Sequence, residues 1–206
     1  MVLDYEYAWR LSKDNSAAHL DAAKMLLEDH PGFAVSHAML AYEEAAKAVC
    51  CALVSSGMLT SSDIELVFRR HEPKALMYGL LFESSFTITE SDGKFQVTAK
   101  AEPLVSQLKK AAKEERDSPE VKRHNGKRNE GFYVSAQGDE EWQSPDSVPI
   151  PWAADMVKKY RGRTLAMIGA ASLFLEAGLR RFNKLDNLRA ILNGDGTITG
   201  IRIDEQ

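Results

Sequence analysis

The segment Phe33–Ser56, FAVSHAMLAYEEAAKAVCCALVSS, decides the fold class. It is dense in Ala and Leu, which predicts a long helix with a mostly apolar surface. Pro31-Gly32 precedes it and stops the helix before it, and Gly57 is placed to act as its C-terminal cap. The preceding segment, from about Asp4 to His30, has its own helical apolar stripe, broken near Asn15-Ser16. Two long helices joined by so short a turn should pack antiparallel.

Further helical segments follow these two. The spacing of Ser62-Asp63-Ile64-Glu65 is that of a capping box and predicts the start of a third helix. Pro73 interrupts this helix and suits the first turn of a fourth. Helical spacing returns at about 102–115 and again over a long stretch from about Trp152 to Phe182. We therefore predict an all-α fold, an antiparallel helical bundle formed by a single domain over residues 1–206.

Three segments depart from the helical period. Apolar residues alternate between Phe86 and Val97 around Ser91-Asp92-Gly93, which predicts a small β-hairpin-like insertion or ordered loop over 86–101. Residues 134–151 contain three prolines and little periodicity, and are predicted to be a loop. The C-terminal residues 190–206 are predicted to form a short extended tail.

Composition and charge limit the function. The chain has 206 residues, is 44% hydrophobic and has a formal net charge of -4. This charge argues against a broad basic surface for wrapping DNA, so any contact with nucleic acid should be local. Cys50 and Cys51 are adjacent in an apolar run and are predicted to be small core residues in a reducing cytosol. We find no secretory leader or membrane-spanning run, so we expect a cytoplasmic protein with no membrane partner.

A basic cluster, defined here as Lys122–Asn129, is the clearest candidate binding site. It holds five potentially cationic side chains within seven positions, against the negative charge of the chain as a whole. Such a cluster predicts a local anion site, with RNA or a nucleotide as the first partner to test. A solvated charge run is the alternative. The candidate substrate-binding cations are Lys122, Arg123 and Lys127, and the neighbouring candidates for chemistry are His124, Arg128, Asn129 and Tyr133.

Two other polar groups interrupt the apolar helices. Glu43 and Lys47 have the spacing of a solvated helical ion pair, whereas the apolar neighbours of Glu44 predict a buried carboxylate that needs a cationic partner. His71 and Lys74 lie at the break between the third and fourth helices, where side chains can converge on a neighbour. The five histidines show no zinc-site spacing, so we expect no bound metal and no cofactor. A supporting polar network is predicted from four of these residues: Glu44, Lys47, His71 and Lys74.

The order of these motifs resembles that of the AbiV-type abortive-infection proteins of the HEPN superfamily. The resemblance rests on Ala-x-Glu-Glu-x-x-Lys at 41–47, Phe-x-x-His-x-x-Lys at 68–74, the basic cluster, and Tyr133-Val134 before the long last helix. It covers most of residues 10–180 and implies a homodimeric HEPN-like bundle. Many HEPN proteins are metal-independent endoribonucleases that use an Arg, a polar residue and a following His from each subunit. Arg128 and Asn129 match the first two, but Tyr133 stands in place of the histidine.

The tyrosine leaves three interpretations open. The ordinary pKa of histidine is near neutrality, whereas that of tyrosine is about 10, so tyrosine is a poor base. The protein is either an anti-phage toxin that cleaves RNA, with His124 or His71 assisting proton transfer, or a binding protein that blocks translation without cleavage. The third interpretation is a structural interaction module. A phage-encoded activator or inhibitor is a further expected partner.

Overall fold

The computed structural model describes residues 4–57, 59–84, 86–91, 94–99, 106, 122, 124, 126, 135–137, 141–176, 188–192 and 198–203. The described helices are α1 (Tyr5–Leu26), α2 (Pro31–Ser55), α3 (Ser61–Arg69), α4 (Glu72–Ser84) and α5 (Ile150–Glu176). The predicted helical fold class is confirmed. None of the helices in these ranges is long and apolar enough to cross a membrane.

Helix α1 begins at an aspartate cap and packs along α2. The Asp4 carboxylate accepts a hydrogen bond from the backbone N–H of Tyr7 at 3.0 Å, which satisfies a donor in the first helical turn. The break in the apolar stripe near Asn15-Ser16 does not end the helix. Ser16 is buried there, and its hydroxyl donates to the backbone carbonyl of Ala41 at 2.9 Å. A polar residue in the stripe therefore forms a hydrogen bond between α1 and α2.

Helix α2 is the centre of the molecule. Most of its residues are buried, and it packs against both α1 and α5. A helix that is apolar on nearly all sides is stable only when other elements cover it. It begins at Pro31, because the missing N–H of proline costs nothing in a first turn. At the other end Gly57 has φ +78° and donates its N–H to the carbonyl of Val54 at 2.9 Å, which confirms the predicted glycine cap.

Both cysteines lie in α2 and are buried, as predicted. Burial disfavours the charged thiolate and raises the pKa of both thiols, that of Cys51 to about 12. They are core residues and not nucleophiles at neutral pH.

Helix α3 begins at Ser61, one residue before the predicted start at Ser62. The capping pair is Thr60 and Asp63, two positions before the predicted pair of Ser62 and Glu65. Thr60, not Ser62, caps the helix: its backbone N–H donates to the Asp63 carboxylate at 2.9 Å, and its hydroxyl donates to the same carboxylate at 2.8 Å. The sequence offers two overlapping pairs with the same spacing, and local spacing does not choose between them. Pro73 lies in the first turn of α4, as predicted.

The strands are β1 (Phe86–Ser91), β2 (Lys94–Ala99), β3 (Ser135–Gln137), β4 (Glu141–Gln143), β5 (Leu188–Leu192) and β6 (Ile198–Ile203). One antiparallel sheet has the order β1-β2-β5-β6, so the segment predicted as a separate tail pairs with the segment predicted as an insertion. Residues 134–151 are not simply a loop: they contain the β3–β4 pair, a 3-10 turn at Pro145–Ser147 and the start of α5.

Two predicted helical ranges fall partly outside the described residues. Of the range 102–115, only Ser106 is described, and it is helical. Helix α5 begins at Ile150, two residues before the predicted start, and is described to Glu176. The predicted end at Phe182 lies outside the described part of the chain.

Candidate functional site

A buried carboxylate, Glu43, lies at the centre of the candidate site. It is 2% exposed, and its two oxygens have three nitrogen partners. Oε2 lies 2.6 Å from Nδ1 of His71 and 3.3 Å from Nζ of Lys74, and Oε1 lies 3.4 Å from Nε2 of His124. A charged group removed from water needs such partners, since an unpaired buried carboxylate is very unfavourable.

Local structure brings these groups together. Glu43 lies in the middle of α2, His71 immediately precedes α4, and Lys74 follows one turn later in α4. Tyr42 holds the two helices in register: its hydroxyl donates to the carbonyl of Ala75 at 2.8 Å and accepts the backbone N–H of Tyr78 at 3.1 Å. The break at the α3–α4 junction therefore places the imidazole and the ammonium group on the same carboxylate oxygen.

The negative charge of Glu43 and the positive charges beside it stabilise one another. Burial alone raises the pKa of Glu43, but the hydrogen bond from His124 and the charges of Lys74 and His71 outweigh it and lower the pKa to about 2. Burial lowers the pKa of the Lys74 ammonium group, while Glu43 acts in the opposite direction. Glu43 is therefore ionised at neutral pH, and its negative charge is what makes a buried Lys74 tolerable.

The three partners of Glu43 differ in their access to solvent. The side chain of His71 is 46% exposed, whereas those of Lys74 and His124 are 5% and 4% exposed. His71 is thus the member of the group that an incoming molecule can reach. Its Nδ1 faces the carboxylate, so Glu43 fixes the orientation of the ring.

His124 faces the interior of the bundle. Its Nδ1 lies 3.3 Å from the hydroxyl of Tyr160 on α5, and its ring packs against those of Tyr42 and Tyr160 at centroid distances of 5.7 and 5.8 Å. With the proton on Nε2, the ring donates to Glu43 and accepts from Tyr160. We call Glu43, His71, Lys74, His124 and Tyr160 the Glu43 network.

The structure corrects the expected roles of the two glutamates. Glu43 does not pair with Lys47, and it, rather than Glu44, is the buried carboxylate. Glu44 and Lys47 form an ion pair with each other, with side chains that are 15% and 22% exposed. Both glutamates have apolar neighbours, and which one is buried depends on where α4 lies. Of the predicted supporting network, His71 and Lys74 meet at Glu43, and Glu44 and Lys47 lie beside it as a separate pair.

Five of the eight residues of the basic cluster lie outside the described residues, and so does Tyr133: these five are Arg123, Asn125, Lys127, Arg128 and Asn129. Lys122 is helical and exposed, and His124 and Gly126 are also helical. His124 therefore connects the basic cluster to Glu43. Sequence reasoning did not identify Glu43 as the central carboxylate or Tyr160 as a member of the site. Tyr160 follows the apolar period of its helix, and no local pattern distinguishes it from a core residue.

Within the described ranges, no group of three or more His, Cys, Asp or Glu side chains has the arrangement of a metal site. A comparison with protein-family models matches residues 4–165 to the family HEPN_AbiV, described as AbiV, which is well over half of the chain. Searches of curated proteins and of solved structures found no significant match.

Proposed function

The chain belongs to the AbiV family of abortive-infection HEPN proteins, and on this premise we propose that it is an anti-phage toxin that cleaves RNA as a homodimer. The observation that carries the proposal is the contact between Glu43 and His71. A buried, ionised carboxylate holds Nδ1 of a half-exposed imidazole at 2.6 Å. A carboxylate in this position sets the tautomer of the ring and stabilises the imidazolium that forms when the ring takes up a proton.

The proposed reaction uses the 2′-hydroxyl of RNA as the nucleophile. His71 accepts the hydroxyl proton, the 2′-oxygen bonds to the adjacent phosphorus, and the bond to the 5′-oxygen breaks. The leaving 5′-oxygen takes up a proton from water, the protonated His71 returns its proton to the solvent, and the other product ends in a 2′,3′-cyclic phosphate. Arg128 stabilises the charge that develops on the phosphate, as a guanidinium can through two parallel hydrogen bonds.

The remaining predicted residues have supporting roles in this proposal. Asn129 and Tyr133 donate hydrogen bonds to the phosphate or orient it, and Lys122, Arg123 and Lys127 contact the RNA backbone. His124 acts as a positioning residue, because its ring is buried between Glu43 and Tyr160. Lys74 keeps Glu43 ionised by its charge.

The proposal is tested by incubating the purified protein with single-stranded RNA in EDTA. We expect fragments that end in a 2′,3′-cyclic phosphate, and a loss of at least about a hundredfold in rate for Arg128→Ala. Cleavage that is unchanged in Arg128→Ala would remove Arg128 from the reaction. An intact substrate at stoichiometric protein would remove cleavage altogether.

A second function is non-catalytic binding of RNA or a nucleotide that blocks translation. It is favoured by the burial of two of the three partners of Glu43, since Lys74 and His124 stabilise the interior and do not face a substrate. This function predicts salt-sensitive RNA binding with no product. Turnover at protein concentrations far below those of the RNA would eliminate it.

A further inference from the structure

We propose that two copies of this chain associate through the outer face of α1, which packs antiparallel on α1 of the second copy about a two-fold axis at Ala18. The inference rests on the homodimer in the proposed function and names the surface that forms it. We call Tyr7, Leu11, Ala18 and Met25 the outer stripe of α1.

The first argument is that α1 turns three large apolar side chains outward. The exposed fractions of Tyr7, Leu11 and Met25 are 58%, 51% and 81%. Among the residues that the structure describes, seven large apolar side chains are exposed, and three of them lie on this helix. A surface helix normally has polar residues on its outer face, so this face is suited to a protein partner. The buried residues of α1 are instead small: Ser12, Ser16 and Ala23.

The second argument is that the outward side chains form one line along α1. At 3.6 residues per turn, the four residues of the outer stripe lie within about 40° of one another around the helix axis. Leu11 and Met25 each lie seven positions from Ala18, which is itself exposed. Seven residues make about two turns, or roughly 10 Å. This is the heptad spacing of two helices that pack side by side.

The third argument is that this line is complementary to itself. A two-fold axis at Ala18, perpendicular to α1, places Leu11 of each copy against Met25 of the other. The small side chain of Ala18 lets the two helices approach closely at the axis. Tyr7 lies one turn before Leu11, where its ring can contact the thioether of Met25 in the second copy. Each large side chain of the outer stripe therefore gains an apolar partner.

The fourth argument is the charge beside the outer stripe. Asp14, Asp21 and Lys24 are exposed and lie along one flank of it. In the antiparallel arrangement, Lys24 of one copy lies within two positions of Asp14 of the other, and it is one turn from Asp21 of its own copy. The ammonium group thus lies near both carboxylates. The helix dipoles also favour an antiparallel pair over a parallel one.

Sedimentation velocity of the full chain tests this surface. One helix from each copy makes a small interface, so we expect a weak dimer that forms between about 10 and 100 μM. Leu11→Lys should weaken it at least about tenfold, because a charge inside an interface loses its water. Leu165→Lys is the matched control, since Leu165 is also 51% exposed but lies on α5. We expect its dissociation constant to stay within about twofold of the wild type.

A mixing experiment tests the antiparallel register. Leu11→Lys and Met25→Glu should each weaken self-association, because each replaces an apolar contact with a charge. In a mixture of the two variants, the antiparallel arrangement brings the introduced lysine and glutamate together and leaves Leu11 against Met25 in the other contact. We expect the mixture to form dimers that neither variant forms alone. A mixture that stays monomeric while the wild type dimerises would contradict the register.

Disulfide cross-linking tests the position of the axis. Two cysteines form a disulfide where their Cβ atoms come within about 3.5 to 4.5 Å. Ala18→Cys should therefore cross-link the two copies under mild oxidation. Ala17→Cys is the control, because Ala17 is an exposed neighbour that points to another side of α1. The native Cys50 and Cys51 are buried. Equal cross-linking of the two variants would overturn the inference.

The outcomes separate this inference from the proposed function. If the wild type dimerises and Leu11→Lys dimerises as tightly as Leu165→Lys, the inference is wrong and the proposed homodimer stands. If the wild type stays monomeric at all concentrations and still cleaves RNA, the inference and the homodimer are both wrong and the cleavage stands. Melting curves followed by circular dichroism establish that each variant is folded.

Discussion

Removing the negative charge of Glu43 leaves Lys74 buried beside a neutral amide. Glu43 raises the pKa of Lys74 against the effect of burial, so its loss makes the ammonium form still less favourable. Breaking a buried ion pair from one side costs about 3 to 5 kcal/mol. We therefore expect Glu43→Gln to lower the free energy of unfolding in urea by about 3 kcal/mol.

Glu44→Gln is the matched control for this change. Glu44 is the adjacent residue, and its pair with Lys47 is more open to solvent. Pairs near the surface contribute about 0 to 1 kcal/mol, so we expect a loss below 1 kcal/mol. Equal losses for the two variants would contradict the assignment of Glu43 as the central carboxylate.

The pH dependence of the free energy of unfolding gives a second test of the charge on Glu43. The ordinary pKa of the Glu43 carboxyl is 4.5, and in the folded protein it is about 2. Between these values the unfolded chain binds the proton and the folded protein does not, so stability falls as pH falls from 4.5 towards 2. Above 4.5 the contribution is fully present.

This contribution is measured as the difference between the wild type and Glu43→Gln in urea unfolding over a series of pH values. The other carboxyl groups contribute equally to the pH dependence of both proteins, so their contributions cancel in the difference. We expect the advantage of the wild type to shrink between pH 4.5 and 2. A difference that stays constant across this range would show that folding does not lower the pKa of Glu43.

At the scale of elements, Gly32 controls how closely the start of α2 approaches the 3-10 turn. A Cβ at position 32 would lie 2.3 Å from the backbone oxygen of Pro145, which is far inside van der Waals contact. Because backbone must move to make room, we expect Gly32→Ala to cost about 1 to 3 kcal/mol in thermal unfolding.

Gly162→Ala is the control for this substitution. Gly162 lies in α5, and a Cβ there meets nothing within 4 Å. Alanine in an exposed helix is favoured over glycine by about 1 kcal/mol, so this variant should melt higher than the wild type. A Gly32→Ala protein that is as stable as the wild type would contradict the close approach of α2 to Pro145.

At the scale of elements, the sequence predicts those features that have local causes. Gly57 ends α2 because it adopts a left-handed conformation, and Pro73 lies in the first turn of α4 because that turn needs no N–H from it. The capping residue of α3 could not be chosen from spacing, since Thr60 and Ser62 both have an acidic residue three positions later. The pairing of β2 with β5 joins segments about ninety positions apart, and no local pattern encodes such a register.

At the scale of the whole molecule, the Glu43 network joins α2, the α3–α4 junction, the segment around His124, and α5. The sequence identified His71, Lys74 and His124 as polar residues that needed an explanation. It did not show that they share one carboxylate, because that depends on how the helices pack. Glu43 and Glu44 are adjacent in sequence, and only the position of α4 decides which one is buried.

The most direct test of the proposed action on RNA compares His71→Gln with His30→Gln in single-turnover RNA cleavage. The two histidines are closely matched: Nδ1 of His30 lies 3.0 Å from the Asp146 carboxylate, and its side chain is 49% exposed against 46% for His71. Loss of a general base lowers a rate by about 10²- to 10⁴-fold. We expect a loss of at least about a hundredfold for His71→Gln and a change within twofold for His30→Gln. Equal rates for the two variants would contradict the account.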